Sequence, residues 1–330
     1  MRRTNPRPLD SVMEAIRTAK SIALVCHVSP DGDTIGSAMA LRQGLLQLGR
    51  PITMFCQDKV PENLLFLPGA EGFRLPEGVA EEERFDLLLC VDVSDEKRMG
   101  RCSSLISRAK HTAQIDHHDT NTNFCEANCV DGDAPACALV AYELLERLGC
   151  NITPEIALCL AVALSTDTGH LVYNSTTPEA FHAMGELVAA GAPMAEAYRR
   201  LYRERPPRQV ALLAKALDTL TFHHEGRITS IRLTQADFAA CGALPEDAEI
   251  IVNYGLDVKG VRMCVFAREV ADGSVKLSLR AVAPCCVSGV AKRFGGGGHA
   301  QAAGANVQLP LDEAVRQAVA CMKEELESNE

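Results

Sequence analysis

Short apolar runs alternate with longer amphipathic segments through the first half of this chain of 330 residues. The runs at 21–26, 51–56, 85–91 and 112–115 predict β-strands, and the segments at 34–48, 134–148, 154–164 and 178–190 predict helices. The run at 85–91 is almost wholly apolar, which is typical of a strand buried on both faces of a parallel sheet. The first half is therefore predicted to be an α/β domain.

The second half has a different pattern. Arg, Glu and Pro at 203–207 indicate a linker or a helix break, and a helix is predicted at 208–220. Strands are then predicted at 228–233, 248–254, 261–268 and 275–280, with helices at 287–294 and 311–326. We expect a first domain at 1–200, a linker helix at 201–225 and a smaller α+β domain at 226–330.

Polar residues that suit metal binding follow the predicted strands. His27, Asp31 and Asp33 come after the first strand, Asp92 after the third, and Asp116-His117-His118 after the fourth. Open α/β sheets bind ligands beyond the carboxyl ends of their strands, so these side chains are expected to converge.

Asp167 differs because it follows a predicted helix and precedes a turn glycine. Imidazoles and carboxylates are ligands for divalent ions such as Mn²⁺ or Mg²⁺, and two ions about 3.5–4 Å apart are a common device for displacement at phosphorus. Each segment alone has a simpler explanation: Pro30-Asp31-Gly32-Asp33 is a good turn, and Asp92 could cap a loop. All the segments together favour a metal site.

The composition excludes several classes of protein. No apolar run approaches the ~20 residues that span a bilayer, and no apolar segment follows the charged N-terminus as in a signal peptide. The 14 cysteines are scattered through apolar runs, which favours reduced structural thiols in a cytoplasmic protein over a zinc or redox site. The net charge of −10 and the lack of a long basic stripe argue against binding long nucleic acids.

Four glycines at 295–298 lie between a predicted helix and a segment of small residues, 300–304. Such a run is often a flexible linker. Glycines also let backbone amides approach an anion, and His299 would add a donor, so phosphate binding is the alternative to a linker.

The order His27-x-x-x-Asp31-x-Asp33, Asp92, Asp116-His117-His118 and Asp167 resembles the DHH phosphoesterase superfamily. The segment 295–304 resembles that superfamily's C-terminal DHH-associated domain. The size and two-domain build are similar to the NrnA subgroup, which hydrolyses very short RNA and removes the 3′-phosphate of 3′-phosphoadenosine 5′-phosphate. The resemblance implies a catalytic first domain and a substrate-binding second domain.

It also implies roles for individual residues. His27, Asp31 and Asp92 would hold one metal ion, and Asp33, Asp92, His117 and Asp167 the other. Asp116 would orient His117, and His118 would contact the scissile phosphate. The substrate-binding residues would be Arg280, Gly296, Gly297, Gly298 and His299.

The expected cofactors are two Mn²⁺ ions, with Mg²⁺ or Co²⁺ as substitutes. The expected substrates are RNA oligonucleotides of two to five nucleotides and a nucleoside bisphosphate. DNA oligonucleotides and a homodimer remain open, and no membrane partner is expected.

Two positions depart from the family pattern. Ala281 replaces a serine, and His170-Leu171-Val172 stands where relatives often carry a basic residue. Alternatives are a phosphodiesterase for cyclic dinucleotides or their linear products and a manganese pyrophosphatase. A non-catalytic nucleotide sensor is a further alternative, but a sensor is expected to lack some ligands and none is missing here.

Overall fold

The computed structural model describes residues 6–328 and divides the chain into two units, Met1–Glu204 and Arg205–Glu330. Within the described residues, no helix has both the length and the apolar character needed to cross a membrane. All 14 cysteines are free and most are buried, in line with the predicted structural thiols.

The first unit contains a parallel sheet of six strands. In the order of the sheet they are β3, β2, β1, β4, β5 and β6, and every neighbouring pair is parallel. The strands are β1 (Ile22–Val25), β2 (Ile52–Phe55), β3 (Phe73–Arg74), β4 (Phe85–Val91), β5 (Ala109–Asp116) and β6 (Ala127–Val130). The predicted α/β domain is confirmed, although the short strands β3 and β6 were not predicted.

Helices cover the sheet. They are α1 (Asp10–Thr18), α2 (Gly32–Gln47), α3 (Cys137–Leu148), α4 (Pro154–Asp167), α5 (Pro178–Ala189) and α6 (Met194–Tyr198). A large apolar core joins one face of the sheet to α2, α3 and α4, and a smaller core lies on the opposite face. Asp31 begins α2 by accepting hydrogen bonds from the amides of Asp33 and Thr34, and Thr153 begins α4 in the same manner.

Glycines allow α2 and α4 to pack closely. A Cβ atom at Gly36 would lie 2.5 Å from the carbonyl oxygen of Cys159, and one at Gly32 would collide with the side chain of Thr166. Because Asp33 is on α2 and Asp167 is the last residue of α4, this close approach determines the distance between the two carboxylates.

The second unit contains a mixed six-stranded sheet in the order β11, β12, β10, β9, β8 and β7. Only β8 and β9 are parallel, and the other pairs are antiparallel. The strands are β7 (Thr221–His223), β8 (Ile228–Leu233), β9 (Met263–Glu269), β10 (Val275–Ala281), β11 (Gly297–Gly298) and β12 (Ala302–Val307). The helices are α7 (Pro207–Asp218), α8 (Gln235–Cys241), α9 (Ile251–Leu256), α10 (Val287–Arg293) and α11 (Leu311–Glu327).

The strand predicted at 248–254 is wrong. Pro245–Ala248 is a short 3₁₀ turn, and Ile251–Leu256 forms α9. Ala248, Ile251, Val252 and Gly255 are buried, a spacing that follows the helical period of 3.6 residues and not the alternation of a strand. Three of these residues pack in a core with β8 and β9.

The glycine run forms a short hairpin. Gly297 and Gly298 pair with Gly304 and Ala303 across β11 and β12. A Cβ atom at Gly296 would collide with the backbone of Gly304, so glycine is required there by the approach of two backbone segments.

Candidate metal centre

The first polar cluster lies where the strand order of the parallel sheet reverses. β1 and β4 are neighbours in the sheet. The chain continues from β1 to β2 on one side of this pair and from β4 to β5 on the other side. Such a switch point leaves a crevice at the carboxyl ends of the strands, where α/β proteins bind ligands. His27 follows β1, and Asp92 directly follows β4.

His27, Asp31 and Asp92 form one group of potential ligands. The Nε2 atom of His27 lies 3.6 Å from Oδ2 of Asp31 and 3.5 Å from Oδ2 of Asp92. Its Nδ1 atom lies 2.8 Å from the carbonyl oxygen of Val28. The carbonyl can only accept, so Nδ1 carries a proton, and Nε2 is the ring atom directed at the two carboxylates.

His117, Asp33 and Asp167 form a second group. The Nε2 atom of His117 lies 3.2 Å from Oδ2 of Asp167 and 3.7 Å from Oδ2 of Asp33. Its Nδ1 atom lies 3.1 Å from the carbonyl oxygen of Ala134, so this imidazole is oriented in the same way as that of His27.

Asp92 lies between the two groups. Its Oδ2 atom faces His27, and its Oδ1 atom lies 3.4 Å from Nε2 of His117. The residue is buried and has a φ of +62°, in the left-handed region that aspartate adopts more readily than most residues. Its amide donates to the carbonyl oxygen of Ile115 on β5, which holds the strained residue in place.

Asp33 is held at the N-terminus of α3. Its carboxylate accepts hydrogen bonds from the amides of Cys137 at 2.5 Å and Ala138 at 3.0 Å, and from the hydroxyl of Ser37 at 3.1 Å. The positive end of the helix dipole stabilises this fully buried carboxylate and fixes its orientation.

The residues perturb each other's titration strongly. Burial alone would lower the pKa of His27, but hydrogen bonds with Asp31 and Asp92 raise it to about 10. Burial likewise opposes protonation of His117, yet Asp167, Asp33 and Asp92 raise its pKa to about 10. Burial and the charges of Asp92 and Asp167 raise the pKa of Asp33 well above its usual value. Without metal, the excess negative charge is therefore balanced by protons.

Two buried polar atoms at the centre are candidates for metal binding. Oδ1 of Asp92 and Nε2 of His117 have no hydrogen-bond partner among residues 6–328. Buried polar atoms are nearly always satisfied, and a carboxylate oxygen that faces an imidazole nitrogen suits a shared divalent cation. The donor set of nitrogen and oxygen atoms thus fits two divalent ions, with Asp92 able to contact both.

Asp116 binds a different histidine from the one expected. Its Oδ1 atom lies 2.8 Å from Nδ1 of His118, whereas Nδ1 of His117 is directed to the backbone. The expectation that Asp116 orients His117 is wrong. The side chain of His118 turns back toward the end of β5 and contacts the carboxylate of Asp116 instead. Asn121 holds the other carboxylate oxygen at 2.6 Å. The hydrogen bond to Asp116 is the main cause of the raised pKa of His118.

The predicted substrate-binding residues lie in the second unit. Arg280 is half-exposed on β10, where its Nη1 atom donates to the carbonyl oxygen of Leu279. His299 is exposed at the turn between β11 and β12. The amide of Gly296 donates to the carbonyl oxygen of Ala291, so it is not free to bind an anion, as a phosphate site at the glycine run would require. Gly297 and Gly298 form the exposed edge strand.

Sequence reasoning missed several supporting residues. Arg98 lies 3.2 Å from Nδ1 of His27, Asn121 binds Asp116, and Ser37 binds Asp33. Ser37 follows Asp33 by four residues on α2, a spacing that could have indicated the contact. Arg98 lies in a 3₁₀-helical stretch 71 residues from His27, and Asn121 lies in a loop, so sequence spacing carries no such signal for either.

Comparison with known proteins identifies the family to which the chain is related. The N-terminal domain model of the DHH family matches residues 21–164, and the DHHA1 domain model matches residues 238–328. The chain is 32% identical over 322 residues to the bifunctional oligoribonuclease and PAP phosphatase NrnA of Thermus thermophilus, covering 96% of this chain and 93% of that protein. It is 26% identical over 309 residues to the Bacillus subtilis protein of the same name, covering 92% and 95%.

A similar fold is found in an exopolyphosphatase-related protein from Bacteroides fragilis. The two structures have a TM-score of 0.88 and 26% sequence identity, covering 96% of this chain and 95% of that one. Similarity therefore extends through both units of the chain, in sequence and in fold. The chain belongs to the DHH family and, with its DHHA1 domain, to the NrnA-like group within it.

Proposed function

We propose that this chain is a two-metal phosphoesterase that hydrolyses short oligoribonucleotides and removes the 3′-phosphate of 3′-phosphoadenosine 5′-phosphate. The observation that carries the proposal is the position of Asp92, whose two oxygens face two separate groups of ligands. The relatives named as bifunctional oligoribonuclease and PAP phosphatase cover nearly the whole chain and support the substrate class.

His27, Asp31 and Asp92 would hold one ion, and Asp33, Asp92, His117 and Asp167 the other. Mn²⁺ is the proposed metal because the site mixes imidazole with carboxylate ligands, with Mg²⁺ or Co²⁺ as substitutes. When bound, such a pair of ions lowers the pKa of water and neutralises charge on the phosphate.

His118 is proposed to bind the scissile phosphate. Its Nδ1 atom is engaged by Asp116, its side chain is 38% exposed, and its raised pKa keeps the ring protonated to higher pH than a free histidine. A protonated imidazole donates from Nε2 to a phosphate oxygen and stabilises the charge that develops there. Asp116 and Asn121 fix the ring in that orientation.

The second unit is proposed to recognise the remainder of the substrate. Arg280 lacks an ion-pair partner among the described residues, and its guanidinium suits a phosphate. His299 and the exposed glycines of β11 would add contacts to a terminal nucleotide. With a net charge of −10, the protein has little to attract an extended polyanion, which favours substrates of two to five nucleotides. The free cysteines favour a reducing compartment such as the cytoplasm.

The direct test offers the purified protein with Mn²⁺ a panel of substrates. The panel contains a dinucleotide, a pentanucleotide, a 30-nucleotide RNA, 3′-phosphoadenosine 5′-phosphate, a cyclic dinucleotide and pyrophosphate. We expect the dinucleotide, the pentanucleotide and the bisphosphate to be hydrolysed, and activity to disappear in excess EDTA. Asp92→Asn is the control for a contaminating nuclease.

Preference for the cyclic dinucleotide or for pyrophosphate would replace the proposed substrate class while keeping the metal centre. Equal rates on the pentanucleotide and the 30-nucleotide RNA would instead indicate a processive exonuclease. Full turnover after prolonged dialysis against EDTA would contradict the metal mechanism itself.

A further inference from the structure

A group of aromatic side chains lies beside the metal centre and is not used by the reaction described above. It consists of His170, Tyr173, Tyr198 and Tyr202, which we call the aromatic patch. The rings of His170 and Tyr198 are 4.4 Å apart, those of Tyr198 and Tyr202 are 5.3 Å apart, and those of His170 and Tyr202 are 5.8 Å apart. The patch contains three of the chain's 5 tyrosines.

The patch is tied to the helix that carries the metal ligand Asp167. Nδ1 of His170 lies 3.0 Å from the hydroxyl of Ser165, and the hydroxyl of Tyr202 lies 3.3 Å from the carbonyl oxygen of Ser165. The amide of Tyr173 donates to the carbonyl oxygen of Thr168, the residue after Asp167. The patch therefore begins within a few residues of the metal centre and is fixed relative to it.

An unusual backbone conformation presents Tyr173. Gly169, His170 and Leu171 all have positive φ, at +54°, +61° and +65°. Two consecutive non-glycine residues in this region are uncommon, and such strain is concentrated at functional sites. The ring of Tyr173 packs directly over Gly169, where a Cβ atom would collide with it. The strained backbone at 169–171 thus places the ring of Tyr173 on the surface.

The outer part of the patch is exposed to solvent and carries a cation. Tyr173 is 59% exposed and its neighbour Val172 is 76% exposed. The guanidinium of Arg203 lies over the ring of Tyr198 at 5.9 Å. Arg203 and Tyr202 belong to a single π-helical turn, Arg199–Arg203, and such turns often occur at functional sites.

We infer that the aromatic patch is the binding surface for a nucleobase of the substrate, with Tyr173 stacking on the base. Proteins that bind single-stranded nucleic acid combine exposed aromatic rings with arginine, because every base has a face on which a ring can stack. An aromatic surface next to a site for phosphate chemistry matches a nucleotide, whose base and phosphate are joined by one sugar. The inference rests on the proposed function and adds recognition of the base to it.

The test compares Tyr173→Ala with Tyr173→Phe on two substrates, a dinucleotide and the same backbone without bases. Stacking predicts that Tyr173→Ala lowers kcat/KM for the dinucleotide by about five- to one-hundred-fold, mainly through KM, and considerably more than for the base-free substrate. Tyr173→Phe retains the ring and should stay close to the wild type. Phe181→Ala removes an aromatic ring of similar exposure, 58%, from outside the patch and is the matched control.

Binding without turnover provides a second measurement. With metal-stripped protein, calorimetry should show that the dinucleotide binds more tightly than the base-free analogue, and that Tyr173→Ala removes most of this difference. An equal loss on both substrates would overturn the inference, and so would a Tyr173→Phe variant as impaired as Tyr173→Ala. If the wild type cleaves neither substrate, the proposed function fails first, and that result does not depend on the variants.

Discussion

Oδ1 of Asp92 and Nε2 of His117 face each other at 3.4 Å, and within residues 6–328 neither atom has a hydrogen-bond partner. Asp92 comes from the end of β4 and His117 from the end of β5, so two neighbouring strands deliver these atoms to one point. A divalent cation held by these two atoms would offset the cost of leaving them unpaired.

Asp92→Asn should cause the largest loss of metal of any single ligand change. Asparagine preserves the shape of the side chain and tolerates the positive φ, but it removes the charge that both ions share. We expect both ions to be lost, as elemental analysis would show, and activity to become undetectable. Asp116→Asn should reduce activity by about 10- to 100-fold with both ions retained, since it only orients His118. Two bound ions in Asp92→Asn would contradict the shared role.

Metal binding should release protons. In the metal-free protein, His27 and His117 have pKa values of about 10, so both imidazoles are protonated near neutral pH. A metal ion needs the neutral ring, and apparent affinity should therefore rise as pH increases toward 10, by about tenfold per pH unit for each proton released. Calorimetry in buffers of different ionisation enthalpy would count these protons. Binding without proton release at neutral pH would show that the imidazoles are already neutral.

Gly36→Ala should weaken one ion site selectively. The new Cβ atom would lie 2.5 Å from the carbonyl oxygen of Cys159 and would push α2 away from α4. Asp33 and Asp167 lie on these two helices, whereas His27 and Asp92 of the other group follow strands β1 and β4. We expect the bound Mn²⁺ to fall from two ions per chain toward one.

Gly185→Ala is the matched control for that change. Gly185 is also helical, but a Cβ atom there has no neighbour within 4 Å. The substitution should retain both ions and raise stability by about 0.5–1 kcal/mol, because alanine favours the helix. If Gly36→Ala also bound two ions with unchanged affinity, the distance between α2 and α4 would not set the second site.

Arg7→Ala should destabilise the first unit strongly. The Arg7 guanidinium is buried and binds the carboxylates of Asp131, Glu143 and Glu179. Its removal takes this buried cation away from three carboxylates, and breaking a buried pair in this way costs about 3–5 kcal/mol. Urea denaturation would measure the loss. Lys110→Ala, which removes an exposed ion pair with Asp86, should change stability little.

The sequence predicts this centre well where the ligands are close to a strand. His27, Asp92 and His117 each follow a buried apolar run within a few residues, so the fold class alone places them at one edge of the sheet. Asp167 is harder to place because α4 carries it, and its position depends on packing at Gly32 and Gly36.

Contacts between distant segments escape sequence reasoning for a similar reason. Arg7 and Asp131 are 124 residues apart, and no local pattern connects them. The segment at 248–254 shows a different failure: a strand was predicted there, but burial at Ala248, Ile251 and Val252 has the helical period. Packing against the neighbouring sheet outweighed local propensity at that point.

The close packing of α2 and α4 also implies an order in which the two groups of ligands come together during folding. His27, Asp31 and Asp92 can meet once β1 and β4 have paired, which needs only the first 92 residues. The partner group is completed only when α4 closes on the glycines of α2 and delivers Asp167. We therefore expect a chain emerging from the ribosome to assemble the group of His27, Asp31 and Asp92 before the other group, and an ion captured early would hold β1, β4 and the start of α2 together while the rest of the unit folds.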